Sequence, residues 1–160
     1  MNHQLEQAGI DPVDRLAVLA AALPGAAVRQ RRIAAPYDAV WPMIADLEHF
    51  APRYEPGVAR MHVTERHGER LHLLVGYTDG REEPMEARLR AGWCLMQSAT
   101  VVVAFAARPL GGQTLLAHLE HLRTGVPAPE PTRSRHRRAA HAKIDQELDT
   151  IERLATHDRG

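Results

Sequence analysis

The sequence has little of several features that mark particular classes of protein. Its single cysteine, Cys94, excludes an internal disulfide bond and a metal site built from several cysteines. Twenty basic and twenty acidic side chains leave no net charge, which argues against nucleic acid as the main partner. The longest apolar stretches, such as 99–107, are far shorter than the roughly 20 residues of a membrane span. We therefore expect a cytoplasmic protein without an integral membrane segment.

Lysine and aromatic residues are also scarce. Only one basic residue is a lysine, Lys143, which is typical of a GC-rich coding genome rather than of a binding site. Aromatic residues make up 4% of the chain and hydrophobic residues 44%, so the interior must consist mainly of leucine, valine and alanine. Small side chains leave room for a cavity, and they equally suit close packing of helices on a sheet. A chain of 160 residues fits one domain.

A helix is predicted near the N-terminus. Asp11 is a suitable cap, Pro12 suits the first helical position, and a Pro-Gly pair ends the pattern. We interpret residues 1–25 as an N-terminal extension of a main domain, 26–157. The helix is expected to pack on the outside of that domain, and the alternative is a lid over a cavity or a dimer contact.

The stretch 29–50 is predicted to form a strand, a turn at Pro36 and an amphipathic helix. Apolar side chains recur at steps of three and four residues from Val40 to Phe50. Pro42 falls within this pattern, so we expect the helix to begin near Val40 with Pro42 in its first turn.

Alternating apolar residues and turn signals predict seven strands in all. The Asp79-Gly80 pair is a strong hairpin signal. A proline-rich linker at 126–131 precedes a long amphipathic helix that ends near Ala155. The predicted strands are 26–34, 58–65, 70–78, 83–91, 93–98, 100–107 and 113–123.

Two motifs resemble the START-like, or SRPBCC, superfamily, which includes polyketide cyclases, lipid carriers and the birch-pollen allergen. One is the strand, Ala-Pro turn and helix of 29–50, and the other is a Phe-x-x-x-Pro-x-Gly-Gly-x-Thr-x-Leu hairpin. The matching residues are Ile33, Ala35, Pro36, Val40, Trp41, Ile44, Asp46 and Phe50, then Phe105, Pro109, Gly111, Gly112, Thr114 and Leu116. The resemblance implies an α+β helix-grip fold. In it, a curved seven-stranded antiparallel sheet wraps around a long C-terminal helix, two short helices follow the first strand, and a ligand cavity lies between sheet and helix.

The resemblance directs attention to polar residues on the inward face of the sheet. Matching the last strand to the family pattern turns Leu116, His118 and Glu120 inward. His118 and Glu120 would lie within about 7 Å of each other, as a general base and its orienting partner with perturbed pKa values. They could equally hydrogen-bond a polar ligand without chemistry. If Leu115 and its face point inward instead, both are surface residues.

Four further residues are candidates for ligand contact. Tyr77 and Leu73 share a consistently apolar strand face, and Leu148 lies on the apolar face of the last helix. Tyr54 lies where the family has its cavity mouth, or else is a surface tyrosine packed on the preceding helix.

Three other candidates have a competing structural interpretation. Trp93 and Gln97 share a strand face and could line the cavity wall, although a buried tryptophan is usually a core residue. Arg31 points inward if Ile33 does, and it would then need an acidic or ligand partner. The alternative for Arg31 is that this end of the strand is exposed.

These features predict binding of a small hydrophobic or amphipathic molecule. Two functions remain open: a cyclase or aromatase-like enzyme that shapes a poly-carbonyl chain, and a non-catalytic carrier or sensor of a lipid, quinone or metabolite. An interaction protein with a collapsed pocket is a third. No HExxH, nucleotide-binding or nucleophile motif is present, so we expect neither a metal nor a cofactor. Whether the chain forms a homodimer stays open.

Overall fold

The computed structural model describes residues 9–123 and 128–157. Residues 126 and 127 of the predicted linker 126–131 lie outside the described residues, as do residues 1–8. The elements are α1 (Pro12–Ala22), β1 (Ala27–Ile33), α2 (Tyr37–Ala45), α3 (Leu47–Tyr54), β2 (Val58–His67), β3 (Arg70–Tyr77), β4 (Glu82–Arg90), β5 (Trp93–Gln97), β6 (Val101–Leu110), β7 (Gln113–Leu122) and α4 (Thr132–His157). The strands form one antiparallel sheet in the order β1-β7-β6-β5-β4-β3-β2. The predicted α+β helix-grip fold is confirmed.

The main core lies between the concave face of the sheet and the helices α2, α3 and α4. Its largest fully buried side chains include Phe105 from β6 and Leu148 and Ile151 from α4. The apolar stripe of α4, spaced by three and four residues, is therefore the face that the sheet encloses. Burial of this stripe holds the long helix across the concave face.

A second core lies on the convex face, where α1 covers β5, β6 and β7. Asp11 caps α1 by accepting a hydrogen bond from the Val13 amide at 2.8 Å. Leu16, which is completely buried, packs against the outer face of the sheet. Because α1 covers this face, β6 and β7 are apolar on both sides. The helix thus packs on the convex face of the sheet and does not form a lid over the concave face.

Gly92 allows the turn between β4 and β5 to pass beneath α1. Its φ of +74° is a conformation that favours glycine, and an added Cβ would lie 2.7 Å from the Ala107 carbonyl oxygen. The Cγ of Pro12 would lie 3.3 Å away. A larger residue here would separate the turn from both the neighbouring strand and α1.

The apolar repeat predicted one helix that begins near Val40. The region after β1 contains two helices instead. The first begins at Tyr37, so Pro42 lies in its interior, and it ends before Asp46. Asp46 caps the second helix by accepting a hydrogen bond from the His49 amide at 3.4 Å. Both helices bury the same side, so the apolar repeat continues through Asp46. In the sequence, the two short helices therefore have the pattern of a single helix. No helix among the described residues is long and apolar enough to cross a membrane.

Candidate functional site

A cavity of about 920 Å³ lies between the concave face of the sheet and the helices α3 and α4. Its volume falls in the range of small-molecule sites, roughly 300–1,000 Å³. The apolar part of its wall includes Val58, Met61, Val75, Met85, Met96, Val103 and Phe105. Charged side chains from the end of α3, from β7 and from α4 line another part of it.

His118 lies beneath this charged part and is completely buried. Its Nδ1 is 3.1 Å from the Ala104 carbonyl oxygen, which can only accept, so Nδ1 carries a hydrogen. Its Nε2 is 2.7 Å from Glu147 Oε2 and 3.6 Å from Glu120 Oε1. The ring stacks on Phe105 with centroids 3.9 Å apart and planes at 5°. Nε2 is therefore the nitrogen that titrates, and it faces two carboxylates.

Lys143 connects the carboxylates on the cavity side. Its Nζ lies 2.7 Å from Glu55 Oε2, 2.7 Å from Glu120 Oε1 and 2.9 Å from Glu147 Oε1. Glu55 directly follows α3, Glu120 lies in β7 and Glu147 in α4, so the single ammonium group links three parts of the fold. We call His118, Lys143, Glu55, Glu120 and Glu147 the charged cluster.

The pKa values in the charged cluster move in different directions. Burial opposes the charge on His118, but hydrogen bonds to Glu120 and Glu147 outweigh it and raise the pKa of His118 to about 9. At Glu147, by contrast, burial outweighs the opposing effect of His118 and raises the pKa of the carboxyl. At Glu120, hydrogen bonds and positive charges from His118 and Lys143 outweigh burial and lower its pKa. Glu147 is thus the carboxyl that can exchange a proton near neutral pH.

The structure changes the predicted arrangement of His118 and Glu120. Both point inward, so the interpretation that places them on the surface is wrong. Glu120 lines the cavity together with Glu147 and Lys143, whereas His118 lies behind them without lining it. The order from the cavity inward is therefore carboxylate, then imidazole, then the Ala104 carbonyl.

The other residues singled out on the concave side fall into two groups. Tyr54 and Tyr77 line the cavity. Leu73, Leu116 and Leu148 are buried in the main core, but they pack against other side chains and do not line the wall.

Three predicted ligand-contacting residues lie elsewhere, which corrects their interpretation. Trp93 is on the convex face, where the Arg15 guanidinium lies 4.7 Å from its ring centroid. Gln97 shares this face and accepts a hydrogen bond from Arg123 at 2.6 Å. Arg31 faces α4 and donates to Asp149, which is the acidic partner that an inward Arg31 was expected to need, but it does not line the cavity. The alternation of β5 turns Cys94 and Met96 inward and its odd-numbered residues outward, which explains the first two.

The sequence reasoning missed Glu147 and Lys143. A signal was available, because Glu147 lies three residues after Ile144 and four before Ile151, on the apolar stripe of α4. Lys143 is four residues before Glu147 and shares that side of the helix. A carboxylate within an apolar helical stripe needs a partner, and the inward His118 is that partner.

A metal ion is a chemical alternative for part of the charged cluster. Ligand atoms of His118, Glu120 and Glu147 all lie within 4.8 Å of one another. The Nδ1 hydrogen bond of His118 would leave Nε2 free as a ligand. However, the Lys143 ammonium already supplies a cation to both carboxylates at 2.7 and 2.9 Å. A metal ion would have to displace it, so the donor set fits protons better than a metal.

No family model and no curated protein matches the sequence. Solved structures do match in fold. A Thermus thermophilus protein superposes with a TM-score of 0.66 at 17% identity, covering 84% of this chain and 99% of its own. The Zhui aromatase/cyclase from a Streptomyces species gives 0.60 at 16% identity, with 81% and 92% covered. A START superfamily protein from Mycobacterium smegmatis gives 0.60 at 16% identity, with 82% and 97% covered. At such low identity these matches show a shared fold alone.

Proposed function

We propose that this chain, which has the START-like helix-grip fold, binds a small hydrophobic or amphipathic molecule in its cavity and catalyses proton transfer on it. The chemistry would be that of a cyclase or aromatase-like enzyme. The observation that carries this proposal is the contact between Glu147 and His118, 2.7 Å apart, with Glu147 on the cavity wall. A buried carboxyl of raised pKa beside an apolar cavity suits general acid–base catalysis near neutral pH.

The reaction we propose begins at a carbon next to a ligand carbonyl group. Ionised Glu147 takes a proton from that carbon, and the electrons of the C–H bond move onto the carbonyl oxygen to give an enolate. The enolate carbon then attacks a second carbonyl of the same chain, forming a C–C bond and an alkoxide that takes up a proton. Glu147 supplies that proton, then removes a second C–H proton next to the new bond and passes it to the departing hydroxyl group, so that water leaves, a C=C bond forms and Glu147 is ionised again.

His118 acts here as a positioning residue, because it does not line the cavity. Its Nε2 hydrogen bond fixes Glu147, and its positive charge opposes the effect of burial on the pKa of that carboxyl. Lys143 and Glu120 form an ion pair beside Glu147. The lowered pKa of Glu120 keeps that carboxyl ionised. The remaining catalytic contribution is the shape of the cavity, which would hold the reacting carbons close together.

Deuterium exchange into a ketone tests this proposal. We would incubate the protein with 2-acetylnaphthalene in D₂O and follow loss of the methyl proton signal by NMR, after measuring the Kd by titration. The expected result is exchange above the buffer rate, reduced about 10²- to 10⁴-fold in Glu147→Gln. The matched control is Asp149→Asn, a carboxylate on the exposed side of the same helix, which should exchange like the unaltered protein.

The outcomes separate the candidate functions. Binding without catalysed exchange would refute the enzyme and favour the non-catalytic carrier or sensor. Absence of binding by this probe and by a panel of apolar dyes would refute both and favour an interaction protein. Exchange that survives Glu147→Gln would refute the assignment of Glu147.

A further inference from the structure

Tyr54 has a hydroxyl group that lacks a hydrogen-bond partner. The residue ends α3, is 5% exposed, and its hydroxyl oxygen is shielded from water without any donor or acceptor among the described residues. An unpaired buried polar group costs on the order of 1–3 kcal/mol. Folded proteins rarely keep one, so this hydroxyl needs an explanation.

Tyr77 provides the contrast within the same cavity. Its hydroxyl donates to Glu83 Oε2 at 2.7 Å, and the same carboxylate accepts from Thr100 Oγ1 at 2.9 Å. The chain can therefore satisfy a tyrosine at the cavity wall with its own side chains. At Tyr54 it does not.

Neighbouring aromatic rings hold Tyr54 in place. Its ring meets Phe105 edge-on, with centroids 5.6 Å apart and planes at 79°. Phe105 in turn stacks on His118. Since this series of rings is packed in the main core, the orientation of the Tyr54 ring is set before a ligand binds.

The charges around Tyr54 restrict what its hydroxyl can bind. Glu55 is the next residue, and Glu147 lines the same cavity from α4. Burial, with added effects from these negative charges, raises the pKa of Tyr54 well above its usual value, so the group remains a donor. These carboxylates disfavour a carboxylate or phosphate on the ligand, although the Lys143 ammonium between them offsets part of their charge. An uncharged oxygen meets no such repulsion.

We propose that the Tyr54 hydroxyl donates a hydrogen bond to an uncharged ligand oxygen, a ketone, ester or enol oxygen, held at the charged end of the cavity. The inference rests on the proposed function and deepens it. Glu147 Oε1 is paired with the Lys143 ammonium at 2.9 Å. Glu147 lines the same cavity, and the bond from Tyr54 would strengthen as negative charge develops on the ligand oxygen.

The direct test is infrared spectroscopy of bound 2-acetylnaphthalene labelled with ¹³C at the carbonyl. A hydrogen bond from Tyr54 lowers the C=O stretching frequency of the bound ketone relative to its value in a dry apolar solvent. We expect this lowering in the unaltered protein and in Tyr77→Phe, and its loss in Tyr54→Phe. Tyr77→Phe is the matched control because it removes a hydroxyl that Glu83 already binds.

Affinities supply a second readout. The Kd of 2-acetylnaphthalene is compared with that of 2-isopropylnaphthalene, which has a similar shape without the oxygen. Tyr54→Phe should weaken the ketone relative to the hydrocarbon by roughly 2- to 12-fold, as expected for one neutral hydrogen bond. The thermal midpoint of the ligand-free protein should not fall, because the removed hydroxyl has no partner.

The results distinguish a failure of the Tyr54 inference from a failure of the proposed function. If both naphthalenes bind and Tyr54→Phe changes neither the carbonyl frequency nor the affinity ratio, the Tyr54 inference is overturned while the cavity function stands. If neither naphthalene binds, both proposals are overturned. A fall in the ligand-free thermal midpoint with an unchanged carbonyl frequency would show that the hydroxyl serves the fold, which also overturns the inference.

Discussion

A change of pH from 6.5 to 9.5 should destabilise this protein through His118. The folded protein raises the pKa of His118 from 6.5 to about 9, so the native state holds the proton more tightly than the unfolded chain. The resulting stability is fully present below pH 6.5 and is lost as pH rises through about 9. At about 1.4 kcal/mol per pKa unit, the loss is about 3 kcal/mol. The side chain is completely buried, so screening by solvent does not reduce this value.

The neighbouring titrating groups set the window of the measurement. Glu147, with its raised pKa, also makes the protein less stable as pH rises, but its fall begins nearer the ordinary carboxyl range. Glu120 has a lowered pKa and contributes stability that is lost only under acidic conditions. The pKa of Lys143 is raised, so this residue stays charged throughout. Most of the slope between pH 6.5 and 9.5 therefore belongs to His118.

The assay is urea unfolding at half-unit pH steps for three proteins. His118→Gln replaces the titrating Nε2 with an amide that still donates to Glu147, and it should flatten the slope. His62→Gln is the control, because the His62 side chain is 69% exposed, and it should keep the slope of the unaltered protein. Equal slopes in the two variants would refute the argument that His118 carries a proton in the folded state.

Three further substitutions test the contacts that hold the cavity together. Lys143→Met should lower the free energy of unfolding by about 1–3 kcal/mol, because it leaves the cluster carboxylates uncompensated although Lys143 is 39% exposed; Arg133→Met, at an exposed ion pair, should cost less than 1 kcal/mol in the same urea titration. Leu148→Ala should cost about 2–5 kcal/mol in calorimetry, because it opens a void in the main core, and a loss below 1 kcal/mol would contradict this packing. Leu16→Ala should cost about as much on the convex side. Val18→Ala, at a side chain 66% exposed on the same helix, should change the thermal midpoint little. Equal effects of the two substitutions would contradict the docking of α1.

Much of the fold was predictable because its signals are local. The cap at Asp11 and the apolar repeat of α4 each depend on residues within a few turns of one another. The two short helices and seven strands then agree with the family motifs around Pro36 and Gly111. The inward register of β7 was one of two alternatives that the sequence left open, and the structure selects the one that the family motif favours.

The centre of the candidate site was not predictable in this way. Its main contact joins His118 to Glu147, 29 residues further along the chain, and depends on how α4 is rotated and how far it extends along the sheet. The sequence also could not show on which side of the sheet Trp93 lies. Both faces of β5 carry apolar residues, because α1 covers the convex face. Alternation shows which residues share a face, but it cannot show which of two covered faces holds the cavity.

The charged cluster is itself an argument about function. Burying Glu147 and His118 together costs desolvation that their mutual attraction only partly offsets, and apolar residues of similar volume often replace such pairs without loss of stability. Seven residues elsewhere on the cavity wall are methionine or valine, so this chain does supply such residues. A site that only held an apolar ligand would gain nothing from three carboxylates, an ammonium and an imidazole on one side. Their presence beside an unpaired tyrosine hydroxyl supports a ligand with oxygen at that end and a proton to move.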